Sequence, residues 1–128
     1  MQLGYILLYV ADVSKTVPFY ESAFRLTRKM VHESGYAEME TGTTILAFVN
    51  HSAAEGLGIE FNKTTPDGPA AAFDIALVTD AVQPAYDRAV QAGAKPVTPP
   101  EQKPWGQTVC YVRDLDGFLV EICSPVSA

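Results

Sequence analysis

The segment RDLDGFLVEICSP, residues 113–125, has the pattern of the last hairpin of a domain. Its acidic-Gly tip suits a tight turn, because glycine tolerates a positive φ. The strand that follows is apolar apart from one carboxylate, Glu121. Burying a carboxylate in an apolar strand is costly unless the group is paired. We therefore treat Glu121 as a candidate site residue and look for its partners elsewhere in the chain.

Composition limits the classes of function. A length of 128 residues with 48% hydrophobic and 19% charged residues is typical of a packed globule, either one domain or two half-size modules with a shared core. The net charge of −6 and nine scattered basic residues argue against nucleic acid, whose phosphates require clustered Lys and Arg. The composition therefore disfavours a nucleic-acid-binding protein.

Membrane insertion and cysteine chemistry are also disfavoured. No stretch approaches the roughly 18 apolar residues needed to span a bilayer, and no basic leader precedes an apolar run. The sequence thus predicts a cytoplasmic protein. Cys110 and Cys123 lie in apolar strands without metal-ligand spacing, so we expect buried, reduced thiols. The only imidazoles, His32 and His51, lie at a turn and in a polar loop, where solvated side chains are expected.

The chain follows one order of elements twice: a strand, a helix and several further strands. In the first half these are a strand ending near residue 12, a helix over 14–26 and strands at about 28–32, 35–40 and 43–49. The second half has a strand over 70–80, a helix over 81–94, a Pro-rich loop over 95–107 and strands over 108–114 and 118–124. Neither half can bury much surface alone, so we expect a curved mixed sheet around a cleft, with the helices outside.

Three motifs give the chain a family resemblance. YILLYVADVSKTVPFYESAFRL, VTDAVQPAYDRAVQAGAKPV and PWGQTVCYVRDLDGFLVEI resemble the two module openings and the closing hairpin of the vicinal-oxygen-chelate superfamily, which includes glyoxalases, bleomycin-resistance proteins and extradiol dioxygenases. The resemblance implies an α+β fold of two βαβββ modules around a cup, and a homodimer. It predicts one domain over 1–128, with module one at 1–62, a linker at 63–69 and module two at 70–128.

The family's metalloenzymes hold one divalent ion with His or Gln, Glu, His and Glu, taken from the first and last strands of both modules. At the corresponding positions this sequence has Tyr5 and either Leu46 or Ala47 in module one, and Asp74 and Glu121 in module two. Only Glu121 matches, and a neutral phenol is a poor ligand for hard divalent ions. We therefore predict no metal ligands and no cofactor. A weak divalent-ion site on Asp74 and Glu121 remains the alternative, because a cation would relieve the repulsion of two carboxylates.

The remaining functional signal is aromatic. Trp105, between Pro104 and Gly106, offers a flat contact surface for a planar ligand, although it could instead cover the edge of the sheet. The predicted ligand-binding residues are Tyr5, Phe48, Asp74, Trp105, Tyr111 and Glu121, with Glu121 also the candidate catalytic group.

Two classes of function remain. The favoured one is a small-molecule-binding protein that sequesters a planar or aromatic ligand in a metal-free cup at the module or dimer interface, as the antibiotic-resistance members do. The alternative is a glyoxalase-like isomerase, lyase or dioxygenase that uses a divalent ion held by Glu121 and Asp74. A housekeeping dimer without a ligand of its own is a third interpretation.

Overall fold

The computed structural model describes residues 1–126, and the chain divides into two compact units. Unit 1 comprises Met1–Thr64, and unit 2 begins at Thr65. Each unit contains one four-stranded mixed sheet and one long helix in the order strand, helix, three strands. The α+β class and the two βαβββ modules are therefore confirmed. The linker residues 65–69 of the sequence-based division lie at the start of unit 2.

Unit 1 consists of β1 (Tyr5–Val10), α1 (Val13–Phe24), β2 (Thr27–His32), β3 (Tyr36–Glu40), β4 (Ile45–Asn50) and α2 (His51–Glu55). Its strand order is β1-β4-β3-β2, with β1 and β4 parallel and the other pairs antiparallel. Asp12 caps α1 by accepting a hydrogen bond from the Ser14 N–H at 2.9 Å. This cap satisfies a free backbone donor in the first turn and sets where the helix begins.

The core of unit 1 lies between α1 and one face of its sheet. Phe48 is fully buried and its ring centroid lies 4.8 Å from that of Tyr20 on α1. Leu8, the partner of Phe48 on β1, is also buried. Side chains alternate between the two faces of a strand, so Tyr5, Leu7 and Ala47 project from the face turned away from α1.

Unit 2 consists of β5 (Ile75–Val78), α3 (Val82–Gln91), β6 (Lys95–Gln102), β7 (Thr108–Arg113) and β8 (Leu119–Cys123). Its strand order, β5-β8-β7-β6, repeats that of unit 1. Val112 and Val120 are fully buried, and they alternate with the half-buried Tyr111 and Glu121. The buried face packs against α3, and the second face carries Tyr111 and Glu121.

The turn between β7 and β8 is organised by Asp114 and Arg113. One Asp114 carboxylate oxygen accepts from the backbone N–H of Asp116 at 3.0 Å and of Phe118 at 2.8 Å. The Arg113 guanidinium donates to three backbone carbonyls, those of Thr65, Gly68 and Gly117. The sequence prediction of a closing hairpin with a glycine at its tip is thus confirmed, and Arg113 fastens the start of unit 2 to that hairpin.

Two sequence predictions are wrong in detail. The Pro-rich segment expected to be a loop forms β6, which is an edge strand whose register with β7 shifts between Pro96 and Thr98 and again between Thr98 and Glu101. Proline lacks an N–H donor, so a strand tolerates it at an edge or at such irregularities. In addition, the polar stretch after residue 50 contains α2, which is too short for helical periodicity to be detected.

Both cysteines are free and buried, as predicted. Within residues 1–126, no helix has the length and apolar character that crossing a membrane requires.

Candidate functional site

The register of unit 2 brings Glu121 and Tyr111 together. Glu121 on β8 pairs with Tyr111 on β7 and with Ala76 on β5. Directly paired residues of neighbouring strands project from the same face of a sheet. Asp74 precedes Ala76 by two residues, which places it on that face too. The backbone thus directs two carboxyl groups and a phenol to one region of the sheet.

Glu121 is the centre of a cluster of polar side chains. It lies close enough to Asp74, Tyr111 and Cys123 to raise the pKa of each of them. We call these four residues the Glu121 cluster. The Tyr111 hydroxyl and the Cys123 thiol are groups that can donate a hydrogen bond to a carboxylate. Glu121 thus has three polar neighbours, from β7, β8 and the residue before β5.

The pKa of Asp74 is raised above its usual value of 3.8. Partial desolvation is the largest cause, although the side chain remains solvent-accessible, and the hydrogen bond to Glu121 and the charge of Glu121 add to it. Two ionised carboxylates repel each other, so the neighbouring Glu121 makes it harder for Asp74 to lose its proton.

The neighbouring donors are neutral at physiological pH. Burial raises the pKa of Tyr111, and the charge of Glu121 raises it further. Burial, assisted by the Glu121 carboxylate, raises the pKa of the Cys123 thiol to about 11. The pKa of Cys110 is also about 11, mainly because of burial. Neither thiol is a nucleophile, since nucleophilic attack requires the thiolate.

The structure places the six predicted ligand-binding residues in three settings. Asp74, Tyr111 and Glu121 lie in one cluster. Trp105 belongs to the same unit but lies in the turn between β6 and β7, 60% exposed, with its Nε1 donating to Gln107 at 2.8 Å. Tyr5 and Phe48 belong to unit 1 and project from opposite faces of its sheet. Phe48 is 0% exposed, so it packs in the core rather than joining the cluster.

The two histidines lie outside the cluster. His32 is exposed at the end of β2, with its Nδ1 2.7 Å from the Ser34 hydroxyl. His51 begins α2, is half-buried, and has its Nε2 3.2 Å from the carbonyl oxygen of Tyr9. The expectation of a fully solvated loop histidine is therefore wrong for His51, because the polar stretch that contains it folds back as a helix.

Sequence reasoning missed two features. Cys123 is a partner of Glu121, and the period of two along β8 could have shown that they share a face. Unit 1 has its own polar group, Tyr36 and Glu38 on β3, whose alternation in YAEME is visible in the sequence. A pocket of about 790 Å³ in the same unit is lined by Glu55 and by Gly58 to Asn62, and by none of the predicted site residues.

Comparison with known proteins identifies the family. The model of the Glyoxalase/Bleomycin resistance protein/Dioxygenase superfamily matches residues 2–122. The chain belongs to this superfamily. No curated protein matches it.

Solved structures of this superfamily share the fold. A glyoxalase-related enzyme from Fulvimarina pelagi aligns with a TM-score of 0.84 and 22% identity over 98% of this chain and 88% of that one. A glyoxalase/bleomycin resistance protein/dioxygenase family enzyme from Burkholderia phytofirmans PsJN aligns with a TM-score of 0.84 and 18% identity over 99% and 100%. TioX from Micromonospora sp. ML1 aligns with a TM-score of 0.73 and 22% identity over 97% and 98%. At these identities the likeness establishes the fold alone.

The metal that this superfamily's metalloenzymes hold does not fit the side chains present. Among residues 1–126, no three or more His, Cys, Asp and Glu side chains are grouped so that they could hold an ion. Unit 1 offers the phenol of Tyr5 and the methyl group of Ala47 at the carried-over positions. In unit 2 the two carboxyl groups are neighbours, and both histidines lie outside the cluster. Two carboxyl groups without an imidazole are a poor donor set for a transition ion.

Proposed function

We propose that this superfamily member binds a small planar or aromatic molecule at the Glu121 cluster, without a metal ion. The observation that carries the proposal is the convergence of Asp74, Tyr111 and Cys123 on the Glu121 carboxylate. A ligand site needs a few convergent polar groups on an otherwise apolar surface. The cluster supplies these groups with no side-chain set for an ion beside it.

The chemistry of the pair favours a ligand that is cationic or has hydrogen-bond donors. Two neighbouring carboxylates concentrate negative charge and repel each other. A protonated ring nitrogen or an exocyclic amine would relieve that repulsion and pair with both carboxylates. The net charge of −6 adds a field that attracts cations. The Tyr111 ring offers an aromatic surface next to this anchor.

We also propose that the protein is a homodimer in the cytoplasm. The family resemblance supports the dimer, and the composition of the sequence supports the location. Light scattering on the purified protein tests the assembly directly, since it measures mass independently of shape.

Calorimetric titration with 9-aminoacridine, a planar cation, tests the proposal, with the neutral acridone as the matched ligand. We expect saturable binding of the cation and much weaker binding of acridone. Glu121→Gln and Asp74→Asn should each weaken binding by about tenfold or more, because each disrupts a charge-assisted hydrogen bond. Glu101→Gln and Asp80→Asn, which change exposed residues of unit 2 outside the cluster, are the controls. Equal affinity in Glu121→Gln and the native protein would contradict the proposal.

The metalloenzyme alternative makes an opposite demand on the same residues. It requires Asp74 and Glu121 to hold a divalent ion rather than the cationic group of a ligand. Elemental analysis of protein purified without chelator separates the two: we expect no near-stoichiometric Zn, Ni, Mn or Fe. Near-stoichiometric metal that is lost in Glu121→Gln would replace the binding proposal with the metalloenzyme.

A further inference from the structure

Asp74 lies at the end of a segment that has no regular secondary structure. Residues 65–74, which we call the entry segment, contain neither helix nor strand and lead directly into β5. The ladder between β5 and β8 begins one residue later, at the pair of Ile75 and Val120. A segment without a ladder of its own takes its position from contacts with other parts of the fold. The place of Asp74 beside Glu121 therefore depends on what holds the entry segment.

The hairpin between β7 and β8 holds the start of the entry segment through Arg113. The guanidinium donates from Nη2 to the Thr65 carbonyl at 3.0 Å and from Nη1 to the Gly68 carbonyl at 2.7 Å. Its Nε donates to the Gly117 carbonyl at 2.8 Å, so one planar group joins the segment to the hairpin. Gly117 allows this close approach, because a Cβ there would collide with the Thr65 carbonyl.

The same hairpin holds the end of the entry segment through an aromatic contact. The ring centroids of Phe73 and Phe118 lie 6.0 Å apart, with an interplanar angle of 62°. Phe118 is buried, and its backbone is fixed by Asp114: its N–H donates to the carboxylate at 2.8 Å, and its carbonyl accepts from the Asp114 N–H at 2.9 Å. Phe73 directly precedes Asp74, so the contact fixes the backbone next to the carboxyl group.

We propose that Arg113 and Phe73 are positioning residues for the Glu121 cluster, holding the entry segment so that the Asp74 side chain reaches Glu121. The turn over residues 113–118 thus serves the site as well as the fold. A binding site needs its groups held to within about 0.5 Å, so a loosened entry segment would weaken the site without removing any of its members. The inference rests on the proposed function only where binding is measured.

The first test needs no ligand. It is a pH titration of the Asp74 carboxyl ¹³C shift in the native full chain, in Arg113→Met and in Phe73→Leu. We expect the pKa of Asp74 to fall towards 3.8 in both variants, because the carboxyl group moves away from Glu121 and into solvent. The direction is diagnostic for Arg113→Met, since the loss of a positive charge would by itself raise the pKa of a carboxyl group.

Val82→Ala is the control for lost stability. Val82 is buried on α3, so its truncation destabilises unit 2 without touching the entry segment or the hairpin. The pKa of Asp74 should be the same in Val82→Ala as in the native protein. A role of Arg113 in stability alone predicts the same result for Arg113→Met.

The second test is a double-mutant cycle for the binding of 9-aminoacridine. Arg113→Met and Phe73→Leu should each weaken binding about threefold or more in the native background. In the Asp74→Asn background the same changes should have an effect below about 1.5-fold, because the side chain that they position no longer carries a charge. Val82→Ala should stay within about twofold of the native affinity.

The two tests separate the positioning role from the proposed function. An Asp74 pKa that is unchanged or raised in either variant, or one that falls equally in Val82→Ala, overturns the positioning role, as does equal weakening of binding in both backgrounds. If native protein does not bind 9-aminoacridine, the function proposed for the cluster fails, and the titration still decides the positioning role. If Arg113→Met does not fold, Phe73→Leu decides it alone, because that change removes only a partly exposed ring.

Discussion

Asp74 and Glu121 lie close enough for the charge of Glu121 to raise the pKa of the Asp74 carboxyl group. In unit 1 a carboxylate on the corresponding sheet face, Glu38, accepts a hydrogen bond from the neutral hydroxyl of Tyr36. Each unit thus has a carboxylate on the face turned away from its long helix, with a second polar side chain beside it. The residues and strands that provide these groups differ between the two units.

The raised pKa of Asp74 makes stability depend on pH. Asp74 has a raised pKa, so between its usual value of 3.8 and the raised value the folded state holds a proton that the unfolded state has lost. Stability therefore falls as pH rises through that window. Asp74→Asn has no ionisable group at this position and so does not lose stability in this way. The melting temperature of Asp74→Asn minus that of the native protein should therefore increase with pH. Because Asp74 is exposed, we expect a change of about 1 kcal/mol at most.

Parallel melts of Asp80→Asn control for the loss of a negative charge in unit 2. A difference between Asp74→Asn and the native protein that stays constant from acid to neutral pH, or that changes in the opposite direction, would contradict the raised pKa.

Gly117 is expected to tolerate no side chain. Its φ is +93°, and a Cβ there would collide with the carbonyl group of Thr65 and lie 2.8 Å from Arg113 Nη2. Gly117→Ala should destabilise the protein by more than about 3 kcal/mol, because a collision adds to about 1 kcal/mol or more of backbone strain. Gly42→Ala, at φ +105° with nothing within 4 Å, measures the strain alone. Equal costs in urea unfolding would show that the contact with Thr65 is unimportant.

Arg113 is expected to stabilise unit 2 through its three carbonyl acceptors, at 2.7 Å, 2.8 Å and 3.0 Å. Hydrogen bonds to charged groups are worth about 1.5–3 kcal/mol each and are not additive, so Arg113→Met should cost about 2–4 kcal/mol. Arg28→Met removes an exposed pair with Glu21 and should cost under about 1 kcal/mol. Unfolding in urea measures both, and similar losses would contradict the role given to Arg113.

How much of this structure is visible in the sequence depends on the range of the interactions. The β1, α1 and α3 segments are predicted because their apolar periodicity is local. β6 is missed because its prolines are local loop signals, and only its place at the sheet edge makes them acceptable. The five-residue α2 is missed because it spans little more than one turn.

The same distinction between local and long-range interactions applies to the candidate site. Glu121 and Asp74 are found by carrying over family positions, and Tyr111 by its place in a strand. Their contact is set by the β5–β8 and β7–β8 registers, which are long-range. Phe48 is misjudged because an aromatic residue in a strand can face either side, and its packing on Tyr20 depends on which side α1 covers.

The two thiols should be unreactive in the folded protein. Cys110 and Cys123 are buried and both have a pKa of about 11, so very little thiolate exists at neutral pH. A disulfide reagent at pH 7 should label almost none of them in native protein and both after unfolding in urea. Rapid labelling of one thiol without denaturant would contradict the burial of that residue, and Cys110→Ala identifies which one reacts.

The most direct test of the central claim, that Glu121 lies beside Asp74 and raises its pKa, is a pH titration of the Asp74 carboxyl ¹³C shift in native protein and in Glu121→Gln. In native protein we expect Asp74 to titrate above its usual value of 3.8. In Glu121→Gln its pKa should fall, because the neighbouring charge is gone and the amide donates to the ionised form. An Asp74 pKa at or below 3.8 in native protein, or one unaffected by Glu121→Gln, would contradict the claim.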